Sequence, residues 1–242
     1  MKILGLIPAR GGSKGIPKKN IYPLCGKPMI GYVIEKALKS KYINRLVVST
    51  DDTEISRISK KFGAEVPFMR LKNLAQDSSP TVPVVKHALD WLKKNENYFP
   101  DIIVLLQANS PLMKTEDIDK VVEKQIKTKA DVAYTLMEIS HPSQWLQKLR
   151  KDEPYFIFPE KNIESFKNRQ SIKEKTYRST GVISAIKTEY FLKNYNKNPR
   201  LCLPKKGQKT KAIVLDPVSS VDIDNFLDLY FTETLIKKYN LK

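Results

Sequence analysis

The chain reads as an α/β protein in which a mostly parallel sheet is flanked by helices. Two observations predict this. Short apolar runs alternate with amphipathic ones from Ile3 to Glu138, and the unusual polar residues fall just after the apolar runs. A parallel sheet wrapped by helices places its ligands beyond the carboxyl ends of its strands, which is where those polar residues would lie.

Ile3–Ile7 is apolar throughout apart from Gly5 and reads as the first strand. Pro28–Ser40 carries Met29, Ile30, Val33, Ile34, Ala37 and Leu38 at helical spacing, and Pro28 suits a first helical turn. Arg45–Thr50 reads as a second strand, followed by Asp51, Asp52 and a helix over Thr53–Phe62. Val82–Lys94 predicts a helix with Val85, Ala88, Leu89 and Leu92 on its apolar face. Ile102–Gln107 is a continuous apolar run between Asp101 and Pro111, the pattern of a strand buried on both faces. A helix over Thr115–Ile126 and a strand over Val132–Glu138 complete the alternation.

From Ser140 to Arg178 the pattern breaks. Trp145, Tyr155, Phe156, Phe158 and Phe166 sit between charged clusters, with Pro142, Pro154 and Pro159 among them. This segment predicts an irregular excursion that packs on a partner subunit or covers the site. The sheet resumes at Gly181–Ile186 and Ala212–Leu215, and a helix over Asn225–Tyr239 follows. The length suits a single domain, residues 1–242, with 140–178 as an insertion.

Lys and Arg number 43 against 26 Asp and Glu, a net charge of +17, which raises nucleic acid as a partner. The lysines are scattered along candidate helix faces, however, and no block of five like charges, RNP motif, zinc finger or basic zipper occurs. Nucleic acid is therefore not expected, and part of the charge would steer an anionic substrate instead. Cys25, Cys202, His87 and His141 are too dispersed for a zinc site or a disulfide framework. No apolar run reaches membrane-spanning length, and the N-terminus enters a strand at once. A cytoplasmic protein without membrane contact is the expectation.

The richest segment is KILGLIPARGGSKGIPKKN, Lys2 to Asn20. Gly11, Gly12 and Gly15 lie among the cations Arg10, Lys14, Lys18 and Lys19 directly after the first strand. Glycines let backbone N–H groups approach phosphate oxygens and cations neutralise the remaining charge. The spacing is not G-x-G-x-x-G, and Gly26-Lys27 has Ile21 five residues upstream and Pro28 after it, so neither common phosphate loop is present. Pro17 argues against a helix starting from the glycines. An extended clamp around a triphosphate fits; a basic solvated turn is the alternative.

Far downstream, Ser219 to Asp224 reads SSVDID. In an extended backbone Asp222 and Asp224 share one face and Val221 and Ile223 the other. Such a pair suits magnesium that also binds substrate phosphates. Equally, Asp224 would cap the final helix and Asp222 would simply be exposed. A triphosphate clamp elsewhere in the chain favours the metal.

In order, IPARGGSKGIPKKN, VSTDD (Val48–Asp52), FMRLKNLAQDSSPT (Phe68–Thr81), LLQANSPL (Leu105–Leu112) and SVDID (Ser220–Asp224) resemble the motifs of the acylneuraminate cytidylyltransferases. The resemblance covers essentially the whole chain. It implies a Rossmann-like fold of the nucleotide-diphospho-sugar transferase type and a homodimer in which 140–178 is the dimerisation arm. It also implies magnesium-dependent attack of a nine-carbon 2-keto sugar acid on CTP, giving the CMP-sugar and pyrophosphate. Ala9, Arg10, Gly11, Gly12, Lys14, Lys19 and Asn20 would be the triphosphate and nucleotide contacts, with Arg70, Asp77, Ser79 and Thr81 around the cytosine. Gln107, Arg169, Thr180 and Gly181 would meet the sugar acid. Asp222 and Asp224 would bind Mg2+ and, with Arg10 and Lys19, carry catalysis.

The departures from that family lie on the sugar side. Ala108, Asn109 and Met113 replace its Pro, Thr and Arg, Gln144 replaces a lysine, and Thr180–Ser184 replaces Asn-Gly-Ala-Ile-Tyr. N-acetylneuraminate, legionaminate and pseudaminate therefore all stay open as acceptors. The other readings are a cytidylyltransferase for the eight-carbon acid Kdo and a non-catalytic nucleotide or RNA binder. No serine–histidine or cysteine–histidine arrangement suggests a nucleophile, and His87 reads as structural.

Overall fold

The computed structural model describes residues 1–77, 79–139, 147–150, 153–156, 175–197 and 207–241. Along the chain these form β1 (Ile3–Pro8), a small hairpin of β2 (Pro23–Leu24) and β3 (Lys27–Pro28), α1 (Met29–Leu38), β4 (Arg45–Ser49), α2 (Thr53–Lys61) and α3 (Thr81–Glu96). There follow β5 (Ile102–Leu106), α4 (Thr115–Thr128), β6 (Val132–Glu138), β7 (Gln147–Arg150), β8 (Glu153–Phe156), β9 (Tyr177–Lys187), α5 (Thr188–Asn194), β10 (Thr210–Leu215) and α6 (Phe226–Tyr239).

Six strands make one sheet in the order β10-β6-β9-β5-β1-β4. β1 runs parallel to β4 and to β5, β6 runs parallel to β10, and β9 lies antiparallel between β5 and β6. The mostly parallel Rossmann-like α/β sheet is therefore present, with one reversed strand. Alternate residues of β1 explain the layers. Ile3 and Ile7 face a core shared with Ile30 and Val33 of α1, Ile55 of α2 and Ile118 and Val122 of α4. Leu4 and Leu6 face the opposite core, built with Val85, Ala88, Leu89 and Leu92 of α3 and Phe191 of α5. All of β5 is buried, as a strand covered on both faces must be.

A third cluster decides where the site forms. Ile16 from the glycine loop, Leu24, Met29 and Tyr32 pack with Ile223, Leu229 and Ile236 from the chain's last sixth. The Tyr32 hydroxyl, inside this cluster, donates to the Leu24 carbonyl at 2.8 Å. Fully burying one isoleucine is worth about 1.5–3 kcal/mol, so Ile16 and Ile223 (each wholly buried) pin two distant segments together.

The sequence reading needs three adjustments. β9 starts at Tyr177 rather than Gly181, because Gly181 (φ 71°) forms a bulge where the pairing with β6 shifts between Tyr134 and Leu136. The stretch read as irregular contains the β7–β8 hairpin, Gln147–Arg150 against Glu153–Phe156. Pro28 closes β3 and caps α1 instead of entering its first turn. The rest of the 140–174 segment, with Gln144 and Arg169, lies outside the described residues, so the expected dimerisation arm is not described.

Candidate active site

The chain leaves β1 for β4 on one side and later reaches β5 on the other, so a crevice opens at the carboxyl ends of β1 and β5. A cleft of about 360 Å³ occupies it. After β1 come Arg10, Ser13, Lys14, Gly15, Lys19 and Asn20; after β5 come Gln107, Ala108 and Asn109. Arg70, Leu74, Gln76, Asp77, Ser79, Thr81 and Val84 form another wall, and Asp224 completes the lining.

The glycine loop is braced from beneath. Ala9, wholly buried, donates its N–H to the Ser49 carbonyl at 2.9 Å, and the Gly11 N–H donates to Asp51 Oδ1 at 3.1 Å. The amide of buried Asn20 donates to the Arg10 carbonyl at 2.9 Å. A Cβ on Gly11 would meet Asp52 Oδ2 at 2.7 Å, whereas one on Gly12 would meet open space. The Gly11 amide is thus engaged by protein, and the Ser13 N–H donates to the Gly11 carbonyl at 3.2 Å, so only some of the loop amides are left to face a phosphate. The four cations also divide: Arg10, Lys14 and Lys19 line the cleft, while Lys18 turns away to pair with Glu54 of α2. Ala9, Gly11 and Gly12 shape the loop without lining the cleft.

Asp77 carries the charge opposite those cations. Its carboxylate lies 2.6 Å from Arg10 and 2.7 Å from Lys14 Nζ. The hydrogen bond from Lys14 holds the Asp77 carboxyl below its ordinary range, with Arg10 adding to the effect. Arg70 behaves differently. It is buried, its Nε donates to Ser49 Oγ at 3.1 Å and its terminal nitrogen donates to the Ser49 carbonyl. Burial pulls its pKa down to about 10; Asp51 opposes this and Arg10 adds to it. Ser79 fixes the turn before α3 by donating to the Asn73 carbonyl at 3.2 Å and accepting from the Gln76 N–H at 3.1 Å. Thr81 opens α3.

Buried Ile223 sets the carboxylates on either side of it. Lys19 Nζ donates to both the Ile223 carbonyl and Asp224 Oδ1 at 2.8 Å. Asn225, not Asp224, caps α6, accepting from the N–H groups of Leu227 (2.8 Å) and Asp228 (3.1 Å). The capping alternative for Asp224 therefore falls away. Upstream, Asp216 steers the turn into this segment: it accepts from Lys114 Nζ at 2.8 Å, the Ser219 N–H at 3.0 Å and the Ser219 hydroxyl at 2.8 Å. Burial pushes the half-buried Asp222 carboxyl up, and neighbouring Asp224 pushes it further, with Arg178 opposing. Asp222 does not itself line the cleft.

A carboxylate whose ionised form is opposed by burial and by a neighbouring carboxylate fits a hard divalent cation. Among the described residues no group of three or more His, Cys, Asp or Glu could hold a metal. An ion on Asp222 and Asp224 would take its other ligands from substrate phosphates and water, the usual arrangement for magnesium.

Of the residues expected to meet the sugar acid, Gln107 lines the cleft, and its backbone N–H donates to the Val182 carbonyl at 3.2 Å. Thr180 and Gly181 do not line it. The Thr180 hydroxyl is committed to Thr135 Oγ1 at 2.6 Å inside the sheet. Met113 is wholly buried and Ser184 sits inside the sheet, so among the described departures Ala108 and Asn109 are the two that line the cleft. Ser13, Gln76 and Asn109 were not foreseen as site residues. Asn109 had a signal, its place two residues after Gln107, but it registers in the sequence as a departure rather than a contact.

A cationic loop after β1, a buried arginine and a carboxylate segment around one switch-point crevice define an α/β protein built to hold a nucleotide. A family model described as cytidylyltransferase matches residues 4–200. Pseudaminic acid cytidylyltransferase of Campylobacter jejuni is 33% identical over 246 residues, covering 98% of this chain and 97% of that protein. CMP-N,N'-diacetyllegionaminic acid synthase of Legionella pneumophila is 32% identical over 240 residues, covering 98% and 97%. The chain belongs to the cytidylyltransferase family. A solved CMP:2-keto-3-deoxy-manno-octonic acid synthetase complexed with CTP shares the fold, with TM-score 0.71, 20% identity and coverage of 99% of this chain and 100% of that one. Among the described residues no helix is long and apolar enough to cross a membrane.

Proposed function

We propose that this protein is a CTP-dependent nucleotidyltransferase that moves CMP onto the anomeric hydroxyl of a nine-carbon 2-keto sugar acid. The observation that carries this is the convergence of Arg10, Lys14, Lys19 and Asp224 on one cleft in a member of the cytidylyltransferase family. Relatives named for pseudaminic and diacetyllegionaminic acid support the acceptor class, to which N-acetylneuraminate also belongs.

The anomeric oxygen forms its bond to the α-phosphorus and gives up its proton to solvent, as the bond from that phosphorus to the α,β-bridging oxygen breaks and pyrophosphate leaves. Positioning and charge stabilisation supply the catalysis. Arg10 and Lys14 exchange Asp77 for phosphate oxygens, and the remaining loop amides add donors. Arg70, Ser79 and Thr81 surround the base, and Gln107 faces the acid. Arg169 and the backbone at Thr180–Gly181 are assigned to the acid on the family resemblance alone. Asp222 and Asp224 would hold Mg2+, which when bound neutralises phosphate charge as a Lewis acid. On the same resemblance we assign a cytoplasmic homodimer; light scattering on the purified chain tests the dimer.

Pyrophosphate release from CTP and magnesium with a panel of acids tests the activity. Release with a nine-carbon acid is expected. Release with the eight-carbon acid Kdo alone would reassign the acceptor. No release with any acid, together with salt-sensitive RNA binding, would overturn the enzyme reading.

A further inference from the structure

Asn109 and Lys19 reach the same two acceptors from different parts of the chain. The Asn109 amide Nδ2 lies 3.2 Å from the Ile223 carbonyl and 3.2 Å from Asp224 Oδ1, the atoms that Lys19 Nζ also contacts. In return the Ile223 N–H donates to the Asn109 carbonyl at 2.9 Å. The turn after β5 and the carboxylate segment are thus bonded reciprocally, side chain and main chain together. One oxygen of Asp224 receives both donors, and among the described residues no donor is bonded to the other, Oδ2.

We infer that Asn109 is a positioning residue that fixes the Asp224 carboxylate, so that Oδ2 faces the cleft for the divalent cation. This rests on the reading of Asp224 as a metal ligand. The chemistry favours an amide for the task. A second cation beside Lys19 would lower the affinity of Asp224 for a metal, while a neutral donor orients the carboxylate without cancelling its charge. The same residue lies two positions from Gln107, so it ties the acceptor side of the cleft to the metal side.

The test is Mn2+ binding followed by EPR in the full-length protein with CTP and no sugar acid, so that no turnover occurs. Asn109→Ala should weaken Mn2+ about tenfold, the usual lower bound for loss of a partner that orients a ligand. The Mg2+ concentration for half-maximal turnover should rise in step, with KM for CTP nearly unchanged. Asn109→Ser, which keeps a donor and disturbs the turn less, should show a smaller loss in the same direction and serves if the alanine variant folds poorly. Wild-type Mn2+ affinity in both variants would overturn the inference. Asp224→Asn separates the two levels: if it too binds Mn2+ normally, the metal reading itself fails; if it alone loses Mn2+, only the role of Asn109 fails.

Discussion

Gly15 packs so closely on Asp224 that no side chain fits between them: a Cβ there would lie 2.3 Å from the Asp224 carbonyl oxygen. That atom is backbone and is held in a segment anchored by buried Ile223, so it cannot swing aside. Gly15→Ala should therefore move the loop and the carboxylates apart. Turnover should fall at least tenfold, in keeping with small displacements of positioning groups, with a modest loss of thermal stability. Gly12→Ala is the internal comparison. A Cβ at Gly12 meets open space, so stability should not change, and any loss of activity would report contact with the nucleotide.

Asp77 neutralises Arg10 and Lys14, the two cations that we assign to the triphosphate. Lys14 is exposed and Asp77 is open to solvent, so water screens both pairs and each contributes little to stability. Asp77→Asn should lower KM for CTP by about fivefold or less, with kcat little changed and a weaker salt dependence. Steady-state kinetics across ionic strength checks this; a higher KM would mean that Asp77 orients the cations instead of competing for them.

Asp222→Asn should cut turnover by about a hundredfold or more, the scale seen on losing a group that stabilises developing charge. Its effect on folding has the opposite sign. Burial and Asp224 raise the Asp222 carboxyl above its ordinary value of 3.8, so in the metal-free protein the ionised form opposes folding. The favourable contribution of the protonated carboxyl is full below the ordinary carboxylate pKa and is lost as pH rises through the raised pKa. Melting curves in chelator should show the variant at least as stable as wild type at pH 7, the gap closing in acid.

Asp216 gives the contrary pH dependence. Burial would raise its carboxyl, but hydrogen bonds from Lys114 and the Ser219 N–H and hydroxyl, with the Lys114 charge, bring it down from 3.8 to about 2. Its contribution is therefore present above the ordinary carboxylate pKa and lost as pH falls from about 4 toward 2. Asp216→Asn should cost roughly 1–2 kcal/mol at neutral pH, measured by denaturant titration, and nearly nothing below that window.

Much of this is legible in the amino-acid sequence itself. The run from Ile102 could only be a strand covered on both sides, and the helical spacing in 28–40 marked α1 to within two residues. What resisted reading depends on partners far along the chain. Lys14 and Lys18 look alike in sequence; one lines the cleft and the other is drawn off by Glu54 on α2. Asn109 acquires its meaning from Ile223, 114 residues away. Thr180 sat where an acceptor contact was expected, yet a bulge at Gly181 turns its hydroxyl into the sheet. Periodicity reports burial; it does not report which distant group a polar side chain will meet.

The contact between Lys19 and Asp224 spans 205 residues of sequence. Loops of that length close late and slowly compared with local structure. The glycine loop is made before β4 and β5, while its carboxylate partner and the helix that anchors it follow β10. A chain whose synthesis has not yet passed Asp224 can pair β1 with β4 and β5 and still lack one wall of the cleft. Assembly of the cleft therefore waits on long-range closure and not on local folding of the glycine loop.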